Sequence, residues 1–234
     1  MTPETTHNPY AAPTFHPEAP AAPIPGHYAF VKNPRWLTRI LLWLLYAYLF
    51  KTFYFVISQP ILNRITARPS MSDAVIDSVH FFHVAVMLLS GIVSLATLIV
   101  FCMWIHRAAL NSRGFGAQGV KDTPGWSVGW YFIPIMNLFR PYQSMKQIWQ
   151  VSADPMDWKN QKGSPILIVW WSFWTILAVV SVIAPQFFTH VAMDRSPAFE
   201  MISSIFTLGL YCGLTISAII LVSTIHRRQQ ALVS

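Results

Sequence analysis

The chain has 234 residues, of which 54% are hydrophobic and only 11% are charged; soluble domains carry about 25% charged residues, so the composition excludes an ordinary soluble domain and indicates a membrane protein. The net charge of +7 is compatible with a nucleic-acid or acidic-lipid partner. Because multi-pass membrane proteins also concentrate Lys and Arg in their cytoplasmic loops, we favour this simpler explanation and expect no nucleic-acid partner.

The N-terminal segment, residues 1–34, is rich in proline and alanine. It contains eight of the 17 prolines and few aliphatic side chains, so it cannot bury a core, and we expect a disordered or extended cytoplasmic tail. It lacks the basic start and apolar stretch of a signal peptide. A proline-rich tail can dock a partner domain, but no P-x-x-P cluster is flanked by Arg, and a solvated tether is the favoured interpretation.

Four apolar runs follow, each long enough to cross the roughly 30 Å hydrocarbon core of a bilayer as a helix. They cover residues 37–58, 81–104, 166–188 and 201–221. Pro60 follows the first run and Pro165 precedes the third, as expected for a residue that is unfavourable inside helices. The sequence therefore predicts an all-α membrane protein with four transmembrane helices in a membrane domain, 35–228, and a cytoplasmic C-terminal tail, 229–234.

Residues 126–150 combine an uncharged half with a polar half. The stretch from Trp126 to Phe139 carries no charge, but as a helix it would reach only about 21 Å, and Pro134 interrupts it. Pro141 then suits the first turn of a new helix, whose apolar face comprises Tyr142, Met145, Ile148 and Trp149. We predict a re-entrant or interfacial half-helix followed by an amphipathic cytoplasmic helix at the inner leaflet.

The distribution of Lys and Arg favours four spans over five. If residues 126–150 do not cross, twelve of the 16 basic residues lie on one side, three on the other and Lys51 within a span. If they cross, the count is seven against six, and Arg140 and Lys146 enter the membrane at roughly 2.5–3.5 kcal/mol each. The positive-inside rule therefore predicts four spans with both termini in the cytoplasm.

A longer motif lies between the second and third runs. Its residues are Trp104, Arg107, Asn111, Trp126, Gly129, Trp130, Pro134, Asn137, Pro141 and Trp149. The pattern W-x-x-R-x-x-x-N, then G-W, P-x-x-N-L, Pro and a later Trp resembles the bacterial multi-pass proteins known as domain of unknown function 4328 (DUF4328). This resemblance implies a multi-pass protein of the bacterial cell (inner) membrane. It implies no catalytic residue and no cofactor, because the family has no established activity.

Arg107 and Asn111 are four residues apart and share one helix face beyond the second run. We expect them to hydrogen-bond the free carbonyl groups of residues 130–137 and Asn137 itself. Two alternatives remain for Arg107, which is also suited to anchoring the helix end by the positive-inside rule or to binding an anionic lipid head group.

Lys51 is the only charged residue deep inside a predicted span. An ionisable residue at such depth is a candidate functional residue, and no acidic residue lies inside any span to pair with it. A role in transport or gating competes with a lysine that only extends its ammonium group towards water.

Two further patterns carry weaker predictions. Asp77, His80, His83 and His190, with Asp194, are possible ligands of Zn or Cu, but positions three apart drift around a helix, and we predict no metal and no cofactor. Gly209, Gly213 and Ser217 place small residues at every fourth position of the last run. This spacing favours close helix packing within the bundle over homodimerisation.

The unusual residues concentrate at the predicted cytoplasmic interface rather than along a pore. The sequence therefore predicts a non-enzymatic membrane module that docks a partner or lipid through residues 126–150 and the tail. Its expected partners are the bilayer, anionic lipid head groups and an unidentified protein. The alternative is a small transporter or channel that uses Lys51 and the broken segment 126–137, since discontinuous helices line substrate sites in transporters.

Overall fold

A computed structural model of the chain describes residues 28–66, 72–190 and 197–234, without the side chains of 59, 60, 63, 184–190 and 197–200. These residues form six α-helices and no strand. The helices are α1 (Arg35–Thr66), α2 (Asp73–Gly114), α3 (Pro124–Gly129), α4 (Arg140–Val151), α5 (Pro165–His190) and α6 (Pro197–Val233). Three single 3-10 turns lie at Trp130–Phe132, Met136–Leu138 and Trp158–Asn160. The expected tail at 1–27 lies outside the described residues.

The prediction of an all-helical protein with four possible spans is confirmed. Four helices in the described ranges are long and apolar enough to cross a membrane, at Arg35–Ser58, Asp73–Gly114, Pro165–Ile183 and Met201–Val233. The helices are longer than the apolar runs. In particular, α1 continues past Pro60 to Thr66, although Pro60 was expected to end it, because a proline removes only its own N–H bond and the remaining helical bonds can continue.

The long helices pack in a defined order. Helix α1 lies between α2 and α6, and α6 lies between α1 and α5. Helices α3 and α4 pack against α2, and α4 also contacts α5. We call the end of the bundle that holds residues 28–34, α3, α4 and the C-terminus of α6 the proximal end. The opposite end, where α1 leads to α2 and α5 leads to α6, is the distal end.

The packed core lies at the proximal end. Its fully buried side chains come from five helices and include Leu41, Trp104, Ile105, Met145, Leu167, Trp170, Leu221 and Ile225. Large apolar side chains in the distal half are exposed instead, among them Phe50, Phe81, Ile92, Ile202 and Ile205. The proximal end is therefore packed like a soluble domain, whereas the distal half presents the apolar surface expected of helices in lipid.

Two segments expected to be tails pack against the helices. Residues 28–34 lie along the proximal end of α2, as described below. Helix α6 continues to Val233, and the buried side chain of Gln229 donates from Nε2 to the carbonyl oxygen of Ala108 (3.2 Å) and to the Oγ of Ser152 (3.2 Å). The C-terminal residues therefore join α6 to α2 and α4.

The two glycines of α6 provide a matched test of helix packing. A Cβ added at Gly213 would overlap the ring of Phe173 in α5, whereas one added at Gly209 would meet no atom within 4 Å. Replacing a helical glycine by alanine gains about 1 kcal/mol from helix propensity, but overpacking costs roughly 1–3 kcal/mol. We expect Gly213→Ala to lower the melting temperature in detergent and Gly209→Ala to maintain or raise it. Equal melting temperatures would contradict the close approach of α5 and α6 at Gly213.

Candidate functional site

The candidate site is the connection from α2 to α4. We call residues 124–139 the wedge segment. Its first helix, α3, begins at a cap in which the Oγ1 of Thr123 accepts the backbone N–H of Trp126 (3.2 Å). The rings of Trp126 and Trp130 stack with their centroids 4.7 Å apart. A Cβ at Gly129 would lie 3.2 Å from the Trp126 ring, so glycine leaves room for this tryptophan pair.

Asp122 fixes the start of the wedge segment to the rest of the proximal end. Its side chain is buried, and it accepts hydrogen bonds from the indole Nε1 of Trp130 (3.2 Å) and from the Oγ of Ser144 in α4. Its backbone carbonyl accepts two bonds from the guanidinium of Arg113, at 3.2 and 2.9 Å. The sequence reasoning missed this residue, although it is the only acidic residue between positions 115 and 150.

The far end of the wedge segment is a strained turn. Ile135 has φ 68° and ψ −52°, and the N–H of Met136 donates to the carbonyl oxygen of Pro134 (2.8 Å). These features define a classic γ-turn, a rare and strained conformation that is especially unfavourable for a β-branched residue. Strain of this kind persists only where the surrounding structure holds it in place.

Helix α5 holds the inner side of this turn. The indole Nε1 of Trp174 donates to the Oδ1 of Asn137 (3.2 Å), and the ring of Tyr131 meets the Trp174 ring edge to face at 5.9 Å. The Tyr131 hydroxyl is buried and has no hydrogen-bond partner among the described residues. Burial raises the pKa of this hydroxyl far above its ordinary value, and the Cys102 thiol adds to the rise, so the group stays protonated.

The outer side of the wedge segment is apolar and uncovered. Phe132, Ile135 and Phe139 are 64%, 72% and 59% exposed, and Met136 is also exposed. Arg140 follows directly, with its guanidinium 5.0 Å from the Trp130 ring. A rigidly held segment thus presents one apolar surface with a cation at its border.

Arg107 and Asn111 do not bond the wedge segment, and this expectation was wrong. The fully buried Asn111 accepts the backbone N–H of Lys32 at Oδ1 (3.1 Å) and donates from Nδ2 to the Lys32 carbonyl (3.0 Å). Arg107 donates to the carbonyl oxygen of Asn33 (3.2 Å). Both residues therefore fasten residues 28–34 to α2.

Aromatic rings complete the attachment of residues 28–34. Tyr28 and Phe30 meet the fully buried ring of Phe115, with centroids 5.8 and 6.0 Å away. These contacts show that residues next to α1 belong structurally to the membrane domain, although they were expected to form part of the tail.

The remaining motif residues belong to the proximal core. The buried Trp104 donates from Nε1 to the Oγ1 of Thr38 in α1 (3.1 Å). Pro141 lies in the first turn of α4 and is buried. Trp149 is also buried, and the guanidinium of Arg228 lies 4.0 Å above its ring. These motif residues thus join α1 to α2 and α6 to α4.

The face of α4 that was predicted to be apolar is covered by the protein itself. Met145, Ile148 and Trp149 are buried, together with the polar Ser144 and Gln150. Helices α2, α3 and α5 supply the covering surface. The wedge segment, by contrast, keeps apolar side chains exposed.

The other candidate residues lie towards the distal end. Lys51 donates to the Oγ of Ser94, and its Nζ lies 4.1 Å from the centre of the Tyr48 ring. The His83 ring packs edge to face on Phe55 (5.8 Å).

The residues considered as metal ligands do not form a site in the part of the chain that the structure describes. No three His, Cys, Asp or Glu residues come together there, so Asp77, His80 and His83 are not gathered around a common point. The side chain of His190 and the whole of Asp194 lie outside the described residues.

Comparison with known proteins gives one match. The family model described as Domain of unknown function (DUF4328) matches residues 68–229. This range contains α2 to α5 and α6 as far as residue 229, and therefore the wedge segment and every residue of the tryptophan–proline motif. No curated protein and no solved structure matches the chain.

The Asn111 clamp predicts unequal effects for two neighbouring substitutions. Asn111→Ala leaves both polar groups of Lys32 without their buried partner, which costs about 1–3 kcal/mol, or about 2–4 °C of melting temperature per kcal/mol in a chain of this size. Arg107→Ala removes a single exposed bond and should change the melting temperature by less. An Arg107→Ala loss equal to or greater than that of Asn111→Ala would contradict the clamp.

Asp122 predicts a graded effect on the wedge segment. Asp122→Ala removes the acceptors of Trp130 and Ser144, so we expect a lower melting temperature and faster trypsin cleavage after Lys121. Asp122→Asn keeps one oxygen acceptor and should have an intermediate effect. Asp154→Ala serves as the control, because the described bonds of the Asp154 side chain go to the exposed backbone N–H groups of Met156 and Asp157. Wild-type cleavage rates for Asp122→Ala would show that the carboxylate does not hold the segment.

Proposed function

The chain belongs to the DUF4328 family, and we propose that it is a non-enzymatic, multi-pass module of the bacterial cell membrane whose wedge segment docks into the cytoplasmic leaflet. In this proposal the proximal end faces the cytoplasm, both termini lie on that side, and residues 126–139 enter the membrane and return without crossing it. In this proposal the module binds lipid at this surface and catalyses no reaction there.

The observation that carries the proposal is the two-sided character of the wedge segment. Its inner side is bonded to Asp122 and Trp174, whereas Phe132, Ile135 and Phe139 point away from the protein and are largely exposed. Exposing apolar surface to water costs about 25 cal/mol per Å², and the acyl region of a leaflet removes that cost. Contiguous exposed apolar residues of this kind mark interaction surfaces.

Charge supports placing this end in the cytoplasm. Twelve of the 16 Lys and Arg residues belong to segments of the proximal end, and Arg140 borders the wedge segment. A basic residue near an anionic membrane surface contributes about 1 kcal/mol of attraction. Anionic lipid head groups are therefore the ligands that match the rim of the apolar surface.

The polar side chains in and beside the wedge segment support a non-enzymatic role. Asp122 and Asn137 both use their side-chain oxygens to hold tryptophan side chains within the protein. Both oxygens are therefore engaged inside the protein. The exposed groups at this site are apolar side chains of the wedge segment, and the half-buried Arg140 lies at their border.

A small transporter or channel is the second candidate, and the position of Lys51 favours it. Its ammonium lies in a cavity within the span of α1 rather than at an interface. Solute flux in proteoliposomes that disappears in Lys51→Ala would support transport. Flux that persists unchanged in this variant would exclude the lysine from such a role.

The docking proposal predicts the depth of residue 135. In a background with Cys102→Ala and Cys212→Ala, an Ile135→Cys variant labelled with an environment-sensitive fluorophore should be quenched by lipids carrying a quencher on the acyl chain. Lys121→Cys and Lys159→Cys should be insensitive to these lipids, because both residues are exposed outside the apolar surface. In sealed vesicles both should react with a membrane-impermeant thiol reagent from the same side.

Two results would contradict the proposal in different ways. Quenching of the Ile135 label by an aqueous quencher, without an effect of the lipid quencher, would show that the surface meets water or a protein instead of lipid. Reaction of the cysteines at 121 and 159 from opposite sides would show that the intervening segment crosses the membrane.

A further inference from the structure

The distal half contains a cation without a counter-ion among the described side chains. Lys51 bonds the Ser94 hydroxyl and lies over the Tyr48 ring, and no described carboxylate contacts it. By helix rise it lies about 10 Å from the distal end of the span at Ser58. An ammonium ion at such depth is unfavourable unless it is paired or solvated.

Lys51 lines a cavity between α1 and α6. This cavity has a volume of about 250 Å³ and is lined by Tyr48, Lys51, Thr52, Thr207 and Tyr211, with apolar residues beside them. Its walls therefore combine one positive charge with hydroxyl groups. Such a lining is suited to an anionic head group, because an ammonium has three N–H donors and the Ser94 bond occupies one of them.

A second cavity of about 220 Å³ lies deeper in the bundle, where α1, α2, α5 and α6 converge. It is lined mainly by aromatic and aliphatic side chains, including Leu45, Phe101, Trp170, Trp174 and Leu214. Tyr48 lines both cavities. The polar cavity and the apolar cavity are thus neighbours with a shared aromatic wall.

A third cavity of about 240 Å³ continues towards the distal end. It shares Phe55, Val56 and Thr207 with the lysine cavity and adds two serines, Ser203 and Ser204. The three cavities follow one another from the distal end to the middle of the bundle. Each cavity shares wall residues with the next along this direction.

We propose that this chain of cavities binds an amphiphile with a single hydrocarbon chain and an anionic head group, with the head at Lys51 and the chain in the aromatic cavity. The anion would supply the missing counter-charge, and Tyr48 would contact both parts of the ligand. The inference does not rest on lipid docking by the wedge segment, because it depends on the cavities alone. Trp174 touches both sites, since it lines the aromatic cavity and bonds Asn137.

The volume of the cavities favours a ligand with one hydrocarbon chain over a lipid with two. The polar and apolar cavities, at about 250 and 220 Å³, lie together in the range of roughly 300–1,000 Å³ that is typical of small-molecule sites. A phospholipid with two long chains would need more enclosed space and would hold its phosphate near the interface rather than at the depth of Lys51.

The test is equilibrium binding to the full chain in phosphatidylcholine nanodiscs, with radiolabelled dodecanoate, dodecyl phosphate and dodecanol as probes. We expect the unmodified protein to bind at least one of the two anionic probes about tenfold more tightly than the neutral alcohol, a difference of about 1.4 kcal/mol. Comparing carboxylate with phosphate identifies the preferred head group. Excess phosphatidylglycerol should not displace the bound probe.

Variants separate the head-group and chain sites. Lys51→Met should weaken dodecanoate binding about tenfold and Lys51→Arg should preserve most of it, while Lys162→Met, an exposed lysine of the α4–α5 connection, should have no effect. Ala218→Leu fills the aromatic cavity, which Ala218 lines, and should weaken dodecanoate more than octanoate. Melting temperature and size-exclusion profile establish that each variant is folded.

Three outcomes would overturn the inference. Equal affinity for dodecanol and both anionic probes would show that the charge is not recognised, and this comparison requires no variant. Unchanged binding in folded Lys51→Met would place the ligand elsewhere. Displacement of the probe by phosphatidylglycerol would show that a two-chain lipid occupies the cavities. Measured flux is a separate observable, so a binding result in nanodiscs neither requires nor excludes transport.

Discussion

Buried polar groups at the proximal end must find their hydrogen bonds within the protein, and this requirement determines how the segments outside the long helices are arranged. Three buried side chains meet it by joining separate parts of the chain. Asn111 joins residues 28–34 to α2, and Gln229 joins α6 to α2 and to Ser152 at the end of α4. Asp122 joins the wedge segment to α4 through its carboxylate, and its backbone carbonyl adds a link to α2. Because an unsatisfied buried group costs about 1–3 kcal/mol, these connections position the segments as well as stabilise them.

The wedge segment derives its character from these attachments. A γ-turn at a β-branched residue would not persist in an isolated peptide. Here the bonds of Asp122 to Trp130 and of Asn137 to Trp174 hold the segment on both sides of the turn. The polar groups are used inside the protein, and the apolar side chains are left outside. This division connects the fold to the proposed docking of lipid, because the outer surface is both rigid and apolar.

Basic side chains have different surroundings at the two ends of the bundle. At the proximal end, cations lie over aromatic rings at the border of the core, as Arg228 does on Trp149 and Arg140 on Trp130. In the distal half, Lys51 has only a hydroxyl and a ring as described partners and faces a cavity. The first arrangement completes a folded interior. The second leaves the ammonium of Lys51 without a described counter-ion, and a bound anion would supply one.

Features that depend on nearby residues were predictable from the sequence. Long apolar runs determined the four helices, the motif marked the region where the unusual contacts concentrate, and Pro141 marked the start of α4. The partners of Arg107 and Asn111 were not predictable, because helical spacing gives the face on which a side chain lies but not the distant segment that reaches it. Lys32 is 79 positions from Asn111, and only the tertiary structure brings them together. The role of Asp122, the strain at Ile135 and the cavity beside Lys51 likewise depend on packing between segments, whose geometry no local pattern in the sequence contains.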